Sequence, residues 1–93
     1  LVRIMADRED TLLEFPCDFP IKMMGRDQDS FRQAAIAAIE EHAGKLSDDA
    51  ISTSSSRKGN FVSITVTISA QSQQQLDDIY QALTDHEEIL VAL

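Results

Sequence analysis

Few side chains in this sequence are of types that do chemistry, and their spacing limits what each can be. Cys17 is the one cysteine. A cysteine nucleophile needs a base within hydrogen-bond reach, and neither histidine is near Cys17 in sequence. It is expected to be a buried or half-buried thiol. His42 and His86 each adjoin two glutamates, in Glu40-Glu41-His42 and His86-Glu87-Glu88. Those donors would suit a shared metal if the two triplets met. Asp48-Asp49 and Asp77-Asp78 could be acid–base pairs, but adjacent residues on a helix do not face each other. Asp77-Asp78 is expected on a solvated helix face and Asp48-Asp49 in a loop. Arg57-Lys58 is the only adjacent basic pair, and Gly59-Asn60 follows it. A basic, exposed loop tip could hold an acidic partner, so Arg57, Lys58 and Asn60 are the candidate partner-binding residues. No catalytic set and no metal set emerges, no cofactor is expected, and the chain does not read as an enzyme.

The elements that position these residues follow from periodicity. From Phe61 to Ser69 the chain alternates: Val62, Ile64, Val66 and Ile68 on one side, Phe61, Ser63, Thr65, Thr67 and Ser69 on the other. That is a half-buried strand, rich in β-branched residues. Gly59-Asn60 supplies residues tolerant of positive φ where a hairpin turn needs them. Ile51 to Ser56 pairs across that turn, and its polar character places it at a sheet edge.

Phe19 to Gly25 reads as the first strand, with Phe19, Ile21 and Met23 on one face, Lys22 and Met24 on the other, and Gly25 ending it. Pro16 and Pro20 keep the residues between them extended. Asp27, Asp29 and Ser30 are N-cap candidates for a helix from about Ser30 to Ala43. Its apolar stripe is Phe31, Ala34, Ala35, Ala38, Ile39 and His42, and Gly44 is placed to terminate it. Ser72 caps a second helix, in which Leu76, Ile79, Tyr80 and Leu83 keep the spacing of one buried stripe. Ile89 to Leu93 reads as a last strand at a sheet edge, an apolar liability unless covered. Residues 1–11 read as a flexible arm or a short helical turn. Leu12 to Phe15 is expected to pack on the body of the domain.

The order is β-α-β-β-α-β. It predicts a single α+β domain over residues 12–93: a ferredoxin-like sandwich with two helices on one face of a four-stranded antiparallel sheet. In that topology the helices run antiparallel, so His42 and His86 fall ~20 Å apart, too far to share common ligands. They are expected as lone histidines near helix C-termini, where positive charge is mildly favourable.

Bulk composition narrows the function. The chain has 93 residues, enough for one domain. Sixteen acidic residues against eight basic ones give a net charge of −8. Such a field argues against binding nucleic acid or an anionic membrane. A lone cysteine fits a reducing cytoplasm. No apolar run reaches the ~20 residues of a membrane span, and no signal peptide is evident.

Several stretches together resemble one family: LLEFP, FPIKMMG, RKGNFVSITVTISA and a helix ending IYQAL before a short terminal strand. They are similar to the YbeD-like proteins, small bacterial cytosolic proteins, over roughly residues 12–93. Lys58-Gly59-Asn60-Phe61-Val62-Ser63 is the most specific part. The resemblance implies a ferredoxin-like fold similar to the ACT domain, a regulatory module that often binds amino acids at domain interfaces. It also implies a regulatory role connected with lipoate metabolism. Many ACT domains hold their effector where the first strand meets the first helix, often at a glycine. Gly25 and Arg26 are thus the candidate effector-binding residues. Asp27 and Asp29 beside them already favour the helix dipole and compete with an incoming carboxylate.

Two expectations follow. The first is a non-enzymatic regulatory or adaptor module whose partner is a protein, either an unidentified one or a second copy forming a homodimer. The alternative is an ACT-like sensor of a small molecule such as an amino acid, with its site at Gly25–Asp29. The Ser/Thr-rich sheet face carrying Lys22 and Met24 is either solvent-facing surface or a partner surface.

Overall fold

Alternation along Phe61–Ala70 sets the frame: Val62, Ile64, Val66, Ile68 and Ala70 are buried, while the residues between them are exposed or half-buried. The computed structural model describes residues 14–55 and 59–93. The elements are β1 (Cys17–Arg26), α1 (Asp29–Ala43), a short 3-10 turn (Asp48–Ala50), β2 (Ile51–Ser55), β3 (Phe61–Ala70), α2 (Gln73–Thr84) and β4 (Val91–Ala92). The strands form one antiparallel sheet in the order β2-β3-β1-β4. This is the predicted ferredoxin-like arrangement, with β2 at an edge as its polar sequence implied.

β1 and β3 pair along their whole length, from Cys17 opposite Ala70 to Arg26 opposite Phe61. The first strand is therefore longer than Phe19–Gly25, and Gly25 lies within it. Long-range pairing with β3 extends β1 past the residues whose own pattern marks a strand. Pro20 also sits inside β1. Lys22 exchanges backbone hydrogen bonds with Leu93 on the β4 side, and strand backbones alternate, so the missing donor of Pro20 also faces that side. Among the described residues β4 pairs only with Met23 and Met24 of β1, so none of them pairs with Pro20 on that side, where proline is tolerated.

One face of the sheet is covered by the two helices. α1 contributes Phe31, Ala35 and Ile39 to the core, and α2 contributes Leu76, Ile79, Tyr80 and Leu83. Ala34, Ala38 and His42 of the expected α1 stripe are half-buried at its margins. Full burial of each large aliphatic or aromatic side chain stabilises the fold by about 1.5–3 kcal/mol. Phe19 and Tyr80 meet edge to face, with ring centroids 6.5 Å apart. The Tyr80 hydroxyl donates to the Leu93 carbonyl at 2.7 Å, tying α2 to the end of β4.

The helix ends differ in how far local sequence determines them. Ser72 caps α2, its hydroxyl accepting from the Gln75 N–H at 3.1 Å. Gly44 ends α1 at φ 83°, its N–H donating to the Glu40 carbonyl. The start of α1 departs from expectation: Gln28 is the N-cap residue, with no side-chain cap. The expected caps are engaged elsewhere, Asp27 and Asp29 with Arg32 and Ser30 with Glu88 at 2.9 Å. β4 is also shorter than Ile89–Leu93. The Ile89 N–H turns back to the His86 carbonyl, and the Ile89 side chain enters the core, so the ladder starts only after it. Asp48 and Asp49 form the short 3-10 turn rather than irregular loop. Phe15 packs against the core. Leu12, Leu13 and the expected N-terminal arm lie outside the described residues.

Candidate functional site

The sheet face away from the helices carries no covering layer among the described residues. Residues opposite each other in an antiparallel pair share a face, so the register builds this surface. Met24 stands opposite Val91. Leu93 exchanges hydrogen bonds with Lys22. Phe61 lies opposite Arg26 and diagonal to Met24, within reach of a long side chain. Phe61, Met24, Val91 and Leu93 thus form one apolar stripe running obliquely over β3, β1 and β4. They are 39, 37, 40 and 53% exposed. Leu90, in the turn before β4, is the one other large exposed hydrophobic residue among the described residues. Phe61, Met24, Val91 and Leu93 gather on one side of the sheet, which scattered surface hydrophobics do not do.

The charge on this face is unlike that of the rest of the molecule. The four strands carry one acid, Asp18, and two bases, Lys22 and Arg26. All three are on the exposed side of β1. The Arg26 guanidinium carbon lies 5.6 Å from the Phe61 ring centroid, a cation–π contact. Among the described residues neither Lys22 nor Arg26 has a carboxylate partner; the ion pairs belong to Arg32. The rest of the face is hydroxyl-rich, with Ser52, Ser54, Ser63, Thr65, Thr67 and Ser69.

At one end of this surface the strand–helix junction and the hairpin turn meet. The Asp27 N–H donates to the Asn60 carbonyl at 3.1 Å, so Arg26 and Asn60 are neighbours. Arg57 and Lys58 lie outside the described residues. Gly59 has the positive φ expected of the turn, 74°, while Asn60 does not. Gly25 is buried, and a Cβ there would come within 2.7 Å of Cγ and Cε1 of Phe31 and nearer still to Cδ1. Its backbone φ is not positive. The lack of a Cβ at Gly25 is what admits the Phe31 ring, a packing reason independent of any ligand. Arg32, in the first turn of α1, is held by Asp27 and Asp29.

The remaining chemistry-bearing residues do not converge. Cys17 is a half-buried thiol packed against the core. Gln75 of α2 donates to the His42 carbonyl at 3.0 Å, and Glu88 beyond α2 accepts from Ser30 of α1. The helices are therefore antiparallel, with His42 and His86 at opposite ends of the domain. Asp77 and Asp78 accept from Gln73 and Gln74 one turn earlier, a polar helix face. Burial pushes the Tyr80 hydroxyl up from 10.0 to about 12, a structural consequence of its place over β4. No helix among the described residues is long and apolar enough to cross a membrane.

Val91, Leu93 and Phe61 were not singled out from sequence as one surface. The alternation places Phe61 and Met24 on the outer face, but only the pairing of β4 with β1 brings Val91 and Leu93 beside them.

The family model described as "Protein of unknown function (DUF493)" matches residues 10–93. A UPF0250 protein of Nitrosomonas europaea is 44% identical over 85 residues, covering 91% of this chain and 98% of its own length. A UPF0250 protein of Paraburkholderia phytofirmans is 39% identical over 89 residues, covering 96% and 100%. One from Neisseria gonorrhoeae is 42% identical over 91 residues, covering 96% and 100%. With its two-helix, four-stranded fold and its match over nearly the whole chain, the protein belongs to the DUF493 (UPF0250) family of small bacterial proteins of unknown function, in agreement with the YbeD-like resemblance.

Proposed function

We propose that the domain is a non-catalytic binding module, regulatory or adaptor in role, that docks a protein partner on its uncovered sheet face. The apolar stripe Phe61–Met24–Val91–Leu93 carries this reading. Apolar area gathered on one exposed face is characteristic of interaction surfaces, and aromatic residues and methionine are enriched at their centres. The sensor alternative has less support. The Phe31 ring fills the space beside Gly25, and Asp27 and Asp29 already engage Arg32.

The test is affinity capture from an extract of a bacterium that carries the family, with the parent chain and a Met24→Ser/Val91→Ser variant as baits. Both positions are exposed, so the variant is expected to melt as the parent does. A protein retained by the parent and lost by the variant supports the reading. Retention of the same protein by both baits refutes it.

A further inference from the structure

The charge of the open face identifies the chemistry of its partner. Building on the docking reading above, we infer that the face receives an acidic amphipathic helix of a different protein, with an apolar stripe flanked by carboxylates. In a chain with net charge −8, the strands supply one acid and two bases, all on the exposed side of β1. Lys22 and Arg26 bracket Met24, at the centre of the apolar stripe. They stand four positions apart along the strand, about 13 Å at ~3.3 Å per residue. A helix offers carboxylates about 11 Å apart when they lie two turns from each other, so one helix can meet both cations while its apolar stripe covers Met24 and Val91. A docked helix would repeat on the open side the layering that α1 and α2 provide on the other.

A second copy of the chain fits this surface less well. An isologous contact presents the same patch from both molecules. It would bring two sets of Lys22 and Arg26 together, with only Asp18 of each copy to oppose them. Single-stranded nucleic acid fits less well too. Its binding rests on stacking over successive aromatic rings, and the strands place one aromatic, Phe61, on this face.

The probes are synthetic helical peptides of about five turns that share one leucine stripe and differ in their flanks: glutamate, glutamine or lysine. Binding to the folded parent chain is followed by amide chemical shifts and fluorescence anisotropy. The glutamate peptide is expected to bind, shifting the amides of β1, β3 and β4. Lys22→Gln with Arg26→Gln is expected to weaken it about tenfold, as loss of two exposed charge pairs implies. Lys22→Glu with Arg26→Glu should transfer the preference to the lysine peptide. Equal binding of all three peptides, abolished by Met24→Ser/Val91→Ser, would overturn the acidic partner and leave the docking face standing. Shifts confined to other surfaces, or no binding by any peptide, would overturn both. A parent dimer that Met24→Ser/Val91→Ser dissociates in sedimentation would make the occupant a second copy. Tighter binding of a uridine oligonucleotide than of the glutamate peptide would make it nucleic acid. Either result refutes the inference.

Discussion

Replacing Gly25 with alanine adds a single methyl group, and the structure indicates where it would go. The added Cβ falls on the Phe31 ring, within 2.7 Å of two ring carbons and closer to a third, where carbon–carbon contacts favour about 3.5–4.0 Å. The ring is fully buried and has nowhere to retreat without moving β1 or α1. Overpacking of this kind costs about 1–3 kcal/mol. Alanine lowers the entropy of the unfolded chain and recovers about 0.5–1 kcal/mol. The backbone at Gly25 does not require glycine, so no strain term is added. The net expectation is a loss of about 1 kcal/mol, or ~4–8 °C in melting temperature for a domain of this size. Phe31→Leu alone should cost about 1–2 kcal/mol through lost packing. In the double variant the smaller leucine vacates the space the methyl needs. Its cost should therefore fall short of the sum of the singles by at least ~1 kcal/mol. Urea unfolding followed by circular dichroism measures all four corners of the cycle. Gly25→Ala within ~0.5 kcal/mol of the parent, or strictly additive costs, would refute the packing argument and return Gly25 to the list of residues kept for a ligand.

Two further perturbations read other parts of the design. Ile64→Asp should unfold the domain, because it buries a charge between the sheet and the helices, whereas Thr65→Asp, on the open face, should keep the cooperative transition; equal damage from both would show that face to be covered. Tyr80 has its hydroxyl pKa raised by burial from 10.0 to about 12, so its contribution is fully present below pH 10 and is lost as pH rises towards 12. Tyr80→Phe should cost about 1 kcal/mol at neutral pH through the lost bond to Leu93 and flatten that alkaline decline. A decline of the same slope in Tyr80→Phe, measured by melting over this range, would assign it to other groups.

The fold was legible wherever a local period reports burial. The two-residue alternation of Val62 to Ile68 and the helical spacing of Leu76, Ile79, Tyr80 and Leu83 each mark residues that the structure buries. Gly44 and Ser72 were legible because capping chemistry is local. What escaped was set by distant partners. β1 runs on to Arg26 because β3 pairs with it there, and β4 shrinks because Ile89 is drawn into the core. The cap of α1 fell to Gln28 because Asp27, Asp29 and Ser30 found partners farther along the chain. The candidate surface was half legible for the same reason. Lys22, Met24 and Phe61 follow from alternation, but the apolar stripe is complete only once β4 lies beside β1.

Pro20 limits how far this edge of the sheet can pair. The hydrogen-bond register between β4 and β1, continued beyond Leu93, arrives at Pro20, which has no N–H to donate. A segment continuing past Leu93 would lose its template there and leave the sheet instead of zipping down the rest of β1. The same gap, with Asp18 beyond it, gives an incoming strand from another molecule a poor seed for fibril growth.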